Sequence, residues 1–162
     1  MFKNFIKENK LAFLMLIVLF LVDRFSKFFI LKLVEQDGML DFYLNTNLNL
    51  YLIWNKGIAF GLLSFNESTI YNIITALILI IIFIIIIRII KSKGFTKYSL
   101  VAVLAGALGN VFDRIYYSAV PDYIDFHIND FHWFIFNVAD IFITLGVLCL
   151  ILDELFFYKK TK

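Results

Sequence analysis

Two aspartates are the residues of this sequence best suited to carry out a reaction. Asp122 follows one long apolar segment, and Asp140 opens the next, about 18 positions later. Two close carboxyl groups cannot both ionise cheaply, so they share a proton. One can then act as a base on a water while the other acts as an acid on a carbonyl oxygen. If the chain brings them together, the pattern predicts aspartic-protease chemistry.

The residue patterns of other catalytic classes are missing from the sequence. It contains no His-Glu-x-x-His metal motif, no Gly-x-Ser-x-Gly elbow and no glycine-rich phosphate loop. His127 and His132 lie beside aromatic residues, with no evident serine or cysteine partner for a nucleophilic triad. Cys149 lies in an apolar run and is interpreted as a packing residue. No metal site is predicted.

The elements that must position the aspartates are membrane-spanning helices. The 162-residue chain is 62% hydrophobic and 17% charged, whereas a soluble domain is about half apolar and a quarter charged. Its net charge of +2 is too small to indicate a nucleic-acid partner. The length predicts a single domain over residues 1–162. Four segments approach the roughly 20 apolar residues that a span needs, namely 11–31, 69–90, 98–116 and 134–157.

The distribution of basic residues predicts the orientation of these four segments. Lysines cluster in the N-terminal flank, between the second and third segments, and in the C-terminal flank. Because cytoplasmic flanks carry an excess of Lys and Arg, both termini are predicted to be cytoplasmic. The connections 32–68 and 117–133 are then extracytoplasmic. The basic residues are Lys3, Lys7, Lys10, Arg88, Lys91, Lys93, Lys97, Lys159, Lys160 and Lys162.

The two extracytoplasmic connections have the alternation of β-strands. "NTNLNLYLIW" alternates polar and apolar residues, and "NKGIAF" then offers a glycine turn and a short return strand. "DYIDFHINDFHWF" alternates about an Asn-Asp turn in the same way. The predicted fold is therefore an all-α membrane protein of four transmembrane helices with a small extracytoplasmic β-sheet. The loop carboxylates are expected to be solvated: Asp41, Glu67, Asp125 and Asp130.

The polar residues of the predicted spans fall at one depth, near their outer ends. Asp23 and Lys27 are four apart and share a helix face. Because a charge at membrane depth costs at least a few kcal/mol, such residues pair with each other or mark a functional site. We interpret Asp113 and Arg114 as a scaffold that orients other groups. The predicted site draws on Asp23, Lys27, Asn55, Asn110, Asp113, Arg114, Asp122, Asn137 and Asp140.

Five motifs in order give the chain a resemblance to a known family. They are "DRFSK" at 23–27, "NKGIAFG" at 55–61, "AGALGNVFDR" at 105–114, "VPDYIDF" at 120–126 and "FNVAD" at 136–140. Together they resemble bacterial lipoprotein signal peptidase, also called signal peptidase II, over nearly the whole chain. Ala105 stands where the family often has glycine, and Pro121 replaces a commoner apolar residue. Neither position supplies reactive atoms.

The resemblance implies an activity and roles for the site residues. The substrate would be a prolipoprotein whose cysteine carries diacylglycerol, cut before that cysteine at the outer face of the bacterial inner membrane. Asp122 and Asp140 would be catalytic, and Asn55 would help bind the substrate. Asp23 and Lys27 would stabilise the site. The pocket would be shaped by Asn110, Asp113, Arg114 and Asn137. No cofactor is implied, membrane lipids are the surroundings, and a monomer is expected.

A different class of function remains open from the residues alone. Carboxylates within a membrane also serve small proton- or ion-conducting subunits. A conduction path needs polar residues in the inner halves of the spans as well, and these halves are nearly free of them. A purely structural membrane protein would leave Asp140 unexplained, since its own span offers no basic residue near it.

Overall fold

The computed structural model describes residues 2–39, 41–57, 68–128 and 131–156. Within these ranges the chain forms four helices and one four-stranded antiparallel sheet. The elements in chain order are α1 (Phe2–Asp37), β1 (Asp41–Asn45), β2 (Leu48–Asn55), α2 (Ser68–Lys91), α3 (Gly94–Tyr117), β3 (Val120–Ile128), β4 (Phe131–Phe136) and α4 (Val138–Phe156).

Within the part of the chain that the structure describes, two helices are long and apolar enough to cross a membrane by length and composition alone. They are the segments Tyr71–Lys91 of α2 and Gly94–Tyr117 of α3. The other two carry more charge within their apolar stretches: α1 holds Asp23, Arg24 and Lys27, while α4 holds Asp140 and two acidic residues near its end. The mostly helical architecture with a small sheet agrees with the sequence, and the four-span topology stays a prediction.

The fourth predicted span began four residues too early. Residues 134–136 belong to strand β4, where Phe136 pairs with Ile124 and Phe134 pairs with Phe126 of β3. Pairing with β3 overrides the hydrophobicity of these residues, because a strand beside β3 satisfies the backbone hydrogen bonds. The helix begins at Val138, directly after Asn137. Its predicted end at residue 157 lies outside the described residues.

The sheet confirms one predicted hairpin and corrects the start of the strand predicted at residues 45–54. β3 and β4 pair on either side of residues 129–130, where the Asn-Asp turn was predicted. The strand predicted from residue 45 instead contains a turn at residues 46–47, where the Asn47 N–H donates to Asn45 Oδ1 at 2.9 Å. Such side chain–backbone bonds favour turns. β2 therefore pairs with β1, which the sequence analysis missed. The return strand predicted within "NKGIAF" falls mostly on residues outside the described ranges.

Two contacts attach the sheet to the helices. Ile30 of α1 and Tyr123 of β3 form a small buried core with partly buried neighbours from β2 and α4. The Tyr123 hydroxyl also donates to Ser26 Oγ of α1 at 2.7 Å. At the end of α3, Ser118 adopts a left-handed conformation with φ 57°, which turns the chain directly into β3. β3 is thereby fixed over the ends of the helices.

Glycines allow α3 and α4 to approach each other closely. A Cβ on Gly106 of α3 would lie 2.3 Å from the Ala139 carbonyl oxygen and 2.8 Å from Ile143 Cγ1. A Cβ on Gly146 of α4 would lie 2.6 Å from Val103 Cγ2. Small residues at such positions are typical of helix pairs in membranes. The close approach brings the start of α4, and with it Asp140, against α3.

We expect Gly106→Ala to lower the free energy of unfolding by about 1–3 kcal/mol, the usual cost of overpacking. The added methyl group would overlap a backbone carbonyl, which cannot turn away. Thermal unfolding of the detergent-purified protein measures the effect. Val147→Ile adds a methyl group on an exposed position of α4 and should leave the melting temperature nearly unchanged. An unchanged melting temperature for Gly106→Ala would contradict the packing described.

Candidate active site

Asp122 lies on β3 and is held by two asparagines. The register places it beside the end of β2, where Asn55 lies. Asn55 Nδ2 donates to Asp122 Oδ2 at 2.8 Å, and Asn137 Nδ2 donates to Oδ1 at 2.5 Å. The side chain of Asp122 is almost fully buried. Both carboxyl oxygens are therefore fixed in position by amide donors from separate elements.

Asp140 lies in the first turn of α4 and takes part in the cap of that helix. Asn137 Oδ1 accepts a hydrogen bond from the Asp140 N–H, and the Asn137 N–H donates to Asp140 Oδ2, both at 3.1 Å. This reciprocal pattern is that of a capping box, with aspartate in the place of the usual Glu or Gln. Asn110 Nδ2 of α3 donates to the other oxygen, Oδ1, at 2.8 Å. The positive end of the helix dipole also favours a negative charge here.

Asn137 connects the two aspartates, because its side-chain nitrogen binds Asp122 and its backbone nitrogen binds Asp140. The pair also interacts electrostatically. Burial, followed by the charge of Asp140, raises the pKa of Asp122 to about 6, despite the opposing hydrogen bonds from Asn55 and Asn137. A carboxyl group with this pKa can hold a proton in weakly acid to near-neutral water. The structure thus brings together the two residues that the sequence singled out.

A buried ionic network lies beneath Asp140. Lys27 Nζ lies 3.0 Å from Asp23 Oδ1, the pair that the four-residue spacing predicted, and 2.7 Å from Asp113 Oδ2. Lys27 also donates to Asn110 Oδ1 at 3.0 Å. Because Asn110 donates to Asp140 from its Nδ2, it links Lys27 to Asp140. Asp23 Oδ1 in addition accepts the N–H of Ala139 at 3.0 Å, which satisfies a second backbone donor at the start of α4.

Arg24 is a central member of this network that the sequence analysis missed. Its guanidinium group donates to both oxygens of Asp113, at 2.6 and 2.9 Å, and to Asp23 Oδ2 at 2.5 Å. It also reaches the Gly109 carbonyl at 3.1 Å. The signal was present, because Arg24 is a charge within a predicted span, like its neighbour Asp23. Two carboxylates and two cations therefore compensate each other at this depth.

Arg114 belongs to the site by a different route from the one expected. Asp113 binds Arg24 and Lys27, whereas Arg114 Nη2 donates to the Gly57 carbonyl. The Gly57 N–H in turn donates to Asn55 Oδ1 at 2.7 Å, which links Arg114 to Asp122 through Asn55. Within the described residues, Nε and Nη1 of Arg114 are buried without a hydrogen-bond acceptor.

One loop carboxylate differs from expectation. Asp125 was predicted to be solvated, but it is buried in β3, with its Oδ2 3.8 Å from His127 Nδ1. Side chains two apart on a strand share a face, and Tyr123 and His127 are buried as well, so Asp125 lies on the buried face of β3. Asp41 is exposed as predicted. Glu67 and Asp130 lie outside the described residues.

An apolar cavity of about 420 Å³ lies beside Asp140. Its wall comes from aromatic side chains of β3 and β4 and from one face of α4. A hydrophobic ligand could occupy this cavity, and the carboxyl group of Asp140 would then lie next to any polar bond within the ligand. The lining residues are Phe126, Phe134, Phe136, Asp140, Ile141, Thr144 and Leu145.

Comparison with known proteins identifies the family. A family model described as "Signal peptidase (SPase) II" matches residues 15–156. The lipoprotein signal peptidase of Pelagibacter ubique is 53% identical over 96% of this chain and 93% of its own length. That of Anaplasma phagocytophilum is 38% identical over 92% of this chain and 94% of its own.

Solved structures agree with this match. One, described as a bacterial membrane enzyme at 2.3 Å resolution, has a TM-score of 0.76 and 28% identity, covering 94% of this chain and 92% of its own. A second, at 1.9 Å, has a TM-score of 0.74 and 29% identity, covering 91% and 94%. The paired-aspartate site, the fold of nearly the whole chain and the 53% identity over nearly its full length lead to the same assignment. The chain belongs to the signal peptidase II family of aspartic proteases.

Proposed function

We propose that this protein removes the signal peptide from diacylglyceryl-modified prolipoproteins, cutting before the lipidated cysteine, with Asp122 and Asp140 as its catalytic pair. The family and its relatives support the activity. The observation that carries the residue assignment is the double contact of Asn137, whose side chain binds Asp122 and whose backbone binds Asp140. This arrangement holds two carboxyl groups beside each other, as an attack by water on a peptide carbonyl requires.

In the proposed mechanism Asp122 holds the shared proton and Asp140 is ionised. The raised pKa of Asp122 supports the first part, and the position of Asp140 at the start of α4 supports the second. Asp140 takes a proton from the attacking water while Asp122 gives its proton to the carbonyl oxygen. A tetrahedral diol forms. Asp140 then gives its proton to the leaving amide nitrogen while Asp122 takes one back from a diol hydroxyl, so that the C–N bond breaks, the carbonyl re-forms and the signal peptide is released.

The surroundings of the pair suit an apolar substrate with a polar backbone. The cavity beside Asp140 would take hydrophobic parts of the substrate near the scissile bond. The buried Nε and Nη1 donors of Arg114 would find acceptors in substrate carbonyl groups, because a buried donor without a partner costs about 1–3 kcal/mol. Asn55, between Arg114 and Asp122, would align the two. The ionic network would hold Asp140 in position through Asn110, which binds Lys27 and thereby Asp23 and Asp113.

The alternative of ion conduction is disfavoured by where the polar network lies. Asp23, Lys27, Asp113 and Asn110 bind one another and Asp140 at one end of the helices. Towards the other end, the space between α1, α2 and α3 is lined almost entirely by apolar side chains. Family membership argues for the peptidase as well.

The proposed setting is the bacterial inner membrane, with four spans, both termini in the cytoplasm and the site on the extracytoplasmic side. Reporter fusions after Lys93 and after Lys162 should therefore give cytoplasmic signals, and a fusion near Asn47 an external one, because basic residues cluster around the first two positions whereas the connection that contains Asn47 is acidic on balance. A cytoplasmic signal at Asn47 would separate the site from its lipid-anchored substrate and contradict this topology.

The pH dependence of cleavage tests the role of Asn55. Its hydrogen bond lowers the pKa of Asp122, so Asn55→Ala should raise that pKa. The alkaline limb of the kcat/KM profile reports loss of the pair's proton, and it should therefore move to higher pH. Asn49→Ala, on the same strand, should leave the limb in place. A shift to lower pH, or equal shifts in both variants, would contradict the assignment.

Incubation of the purified protein with a diacylglyceryl prolipoprotein tests the function itself. Cleavage appears as a mobility shift on a gel, and mass spectrometry of the products shows whether the cut lies before the modified cysteine. The same precursor without the diacylglyceryl group is the control and should remain uncut. Cleavage of both forms at equal rates would contradict the proposed substrate.

A further inference from the structure

A second cavity lies at the end of the helices away from the aspartates. It has a volume of about 340 Å³ and lies between α1 and α2, with α3 as its floor. On α3, Val101, Leu104 and Leu108 line it, at spacings that place them on one helix face. Its walls include Ala12 and Leu16 of α1 and Ile86 and Ile90 of α2. We call this cavity the α1–α2 groove.

The groove has one polar end. Lys97, one turn before Val101 on α3, donates from Nζ to Asn9 Oδ1 at 2.7 Å, and Asn9 is the polar residue of the lining. Within the described residues Lys97 makes no ion pair, and its ammonium group has further N–H donors to offer. Three more lysines are exposed and lie close in sequence to this end of the groove: Lys10 follows Asn9, Lys91 follows Ile90, and Lys93 lies four residues before Lys97. Next to Lys97 in the chain, Thr96 donates a hydrogen bond to the carboxylate of Asp153 on α4.

The length of the groove matches one leaflet of a bilayer. From Lys97 to Leu108 the α3 helix rises about 16 Å at 1.5 Å per residue. Half of the hydrocarbon core of a bilayer is about 15 Å. An acyl chain that fills the groove would therefore place its headgroup at the level of Lys97. A phosphate at that level would meet a cluster of positive charge.

We infer that the α1–α2 groove binds a phospholipid with an anionic headgroup, its acyl chain along Val101, Leu104 and Leu108 and its phosphate at Lys97. The apolar lining excludes a polar occupant. The basic end favours an anionic headgroup over a zwitterionic one, because basic clusters at the membrane surface attract anionic lipids. The site is separate from the peptidase centre and does not depend on the assignment of the aspartates.

Native mass spectrometry of the detergent-purified protein tests this inference. The probes are dioleoylphosphatidylglycerol and dioleoylphosphatidylcholine, added at equal concentration. We expect the anionic lipid to be retained preferentially, and Lys97→Gln to lower its apparent affinity about fivefold, the contribution of one basic residue near a membrane surface. Lys32→Gln, an exposed lysine at the opposite end of α1, is the matched control and should leave the affinity unchanged.

A variant that fills the groove distinguishes the contribution of the acyl chain to binding from that of the headgroup. Ala12→Phe should weaken binding of both lipids, and the helical circular dichroism signal shows whether this variant is folded. Lys97→Gln, at a half-buried surface position, keeps the test decisive if Ala12→Phe does not fold. Equal retention of the two lipids, or equal effects of Lys97→Gln and Lys32→Gln, would overturn the inference. So would a protein dimer that forms in place of the lipid complex and is lost in Ala12→Phe.

Discussion

Asp122→Asn and Asp140→Asn are each expected to reduce cleavage of a diacylglyceryl prolipoprotein by about four orders of magnitude, as for the removal of one member of a catalytic unit. Asparagine keeps the size and part of the hydrogen bonding of aspartate, but it cannot exchange a proton with water or with the substrate carbonyl. Single-turnover kinetics with purified variants measure the loss.

The structure offers a matched control for these variants. Asp125 is also buried on β3, three residues after Asp122, but its described contact is to His127. Asp125→Asn should retain most of the activity. The melting temperatures of Asp122→Asn and Asp140→Asn should stay near that of the unchanged protein, so that lost activity is not lost structure. Substantial turnover by either variant would contradict the catalytic assignment.

Asp113→Ala is expected to destabilise the protein by about 3–5 kcal/mol, the cost of breaking a buried ion pair by removing one partner. Asp113 is fully buried and accepts hydrogen bonds from Arg24 and Lys27. Without Asp113, the carboxylate of Asp23 alone compensates the charges of Arg24 and Lys27. Activity should fall as well, since Lys27 orients Asn110 and Asn110 binds Asp140.

The exposed Asp41 provides the comparison for this variant. Asp41→Ala should change the melting temperature little, because Asp41 lies in water. Arg24→Gln should lower stability less than Asp113→Ala, since it removes one cation and leaves Lys27 to compensate the two carboxylates. If Asp113→Ala kept full stability and lost all activity, Asp113 would be a better catalytic candidate than a supporting residue.

Much of the candidate site could be predicted from the sequence, because charged and amide side chains are rare in apolar segments. Each of Asp23, Lys27, Asn110, Asp113 and Asp140 stands out against its neighbours, and the four-residue spacing of Asp23 and Lys27 predicts their contact. What the sequence does not reveal is which charges pair between helices. Asp113 pairs with Arg24 of α1 and not with the adjacent Arg114, because residues next to each other on a helix point in different directions.

The fold was predictable in outline and less so at the boundaries. Phe134–Phe136 are as apolar as the helix that follows, so hydrophobicity alone joins them to α4. Only pairing with β3 makes them a strand. β1 was missed because its pairing with β2 depends on the turn at Asn47 and not on a pattern within β1 itself. The role of Asn137 as both helix cap and bridge is likewise a tertiary feature, although "NVAD" contains the residues of a capping box.

The measurement that tests the central claim most directly is the single-turnover cleavage rate of the double variant Asp122→Asn/Asp140→Asn, compared with the two single variants. If the two carboxyl groups act together on one water, the double variant should be about as slow as either single variant, because members of one catalytic unit are non-additive. If the two losses multiplied, Asp122 and Asp140 would act independently, and the paired mechanism would be contradicted.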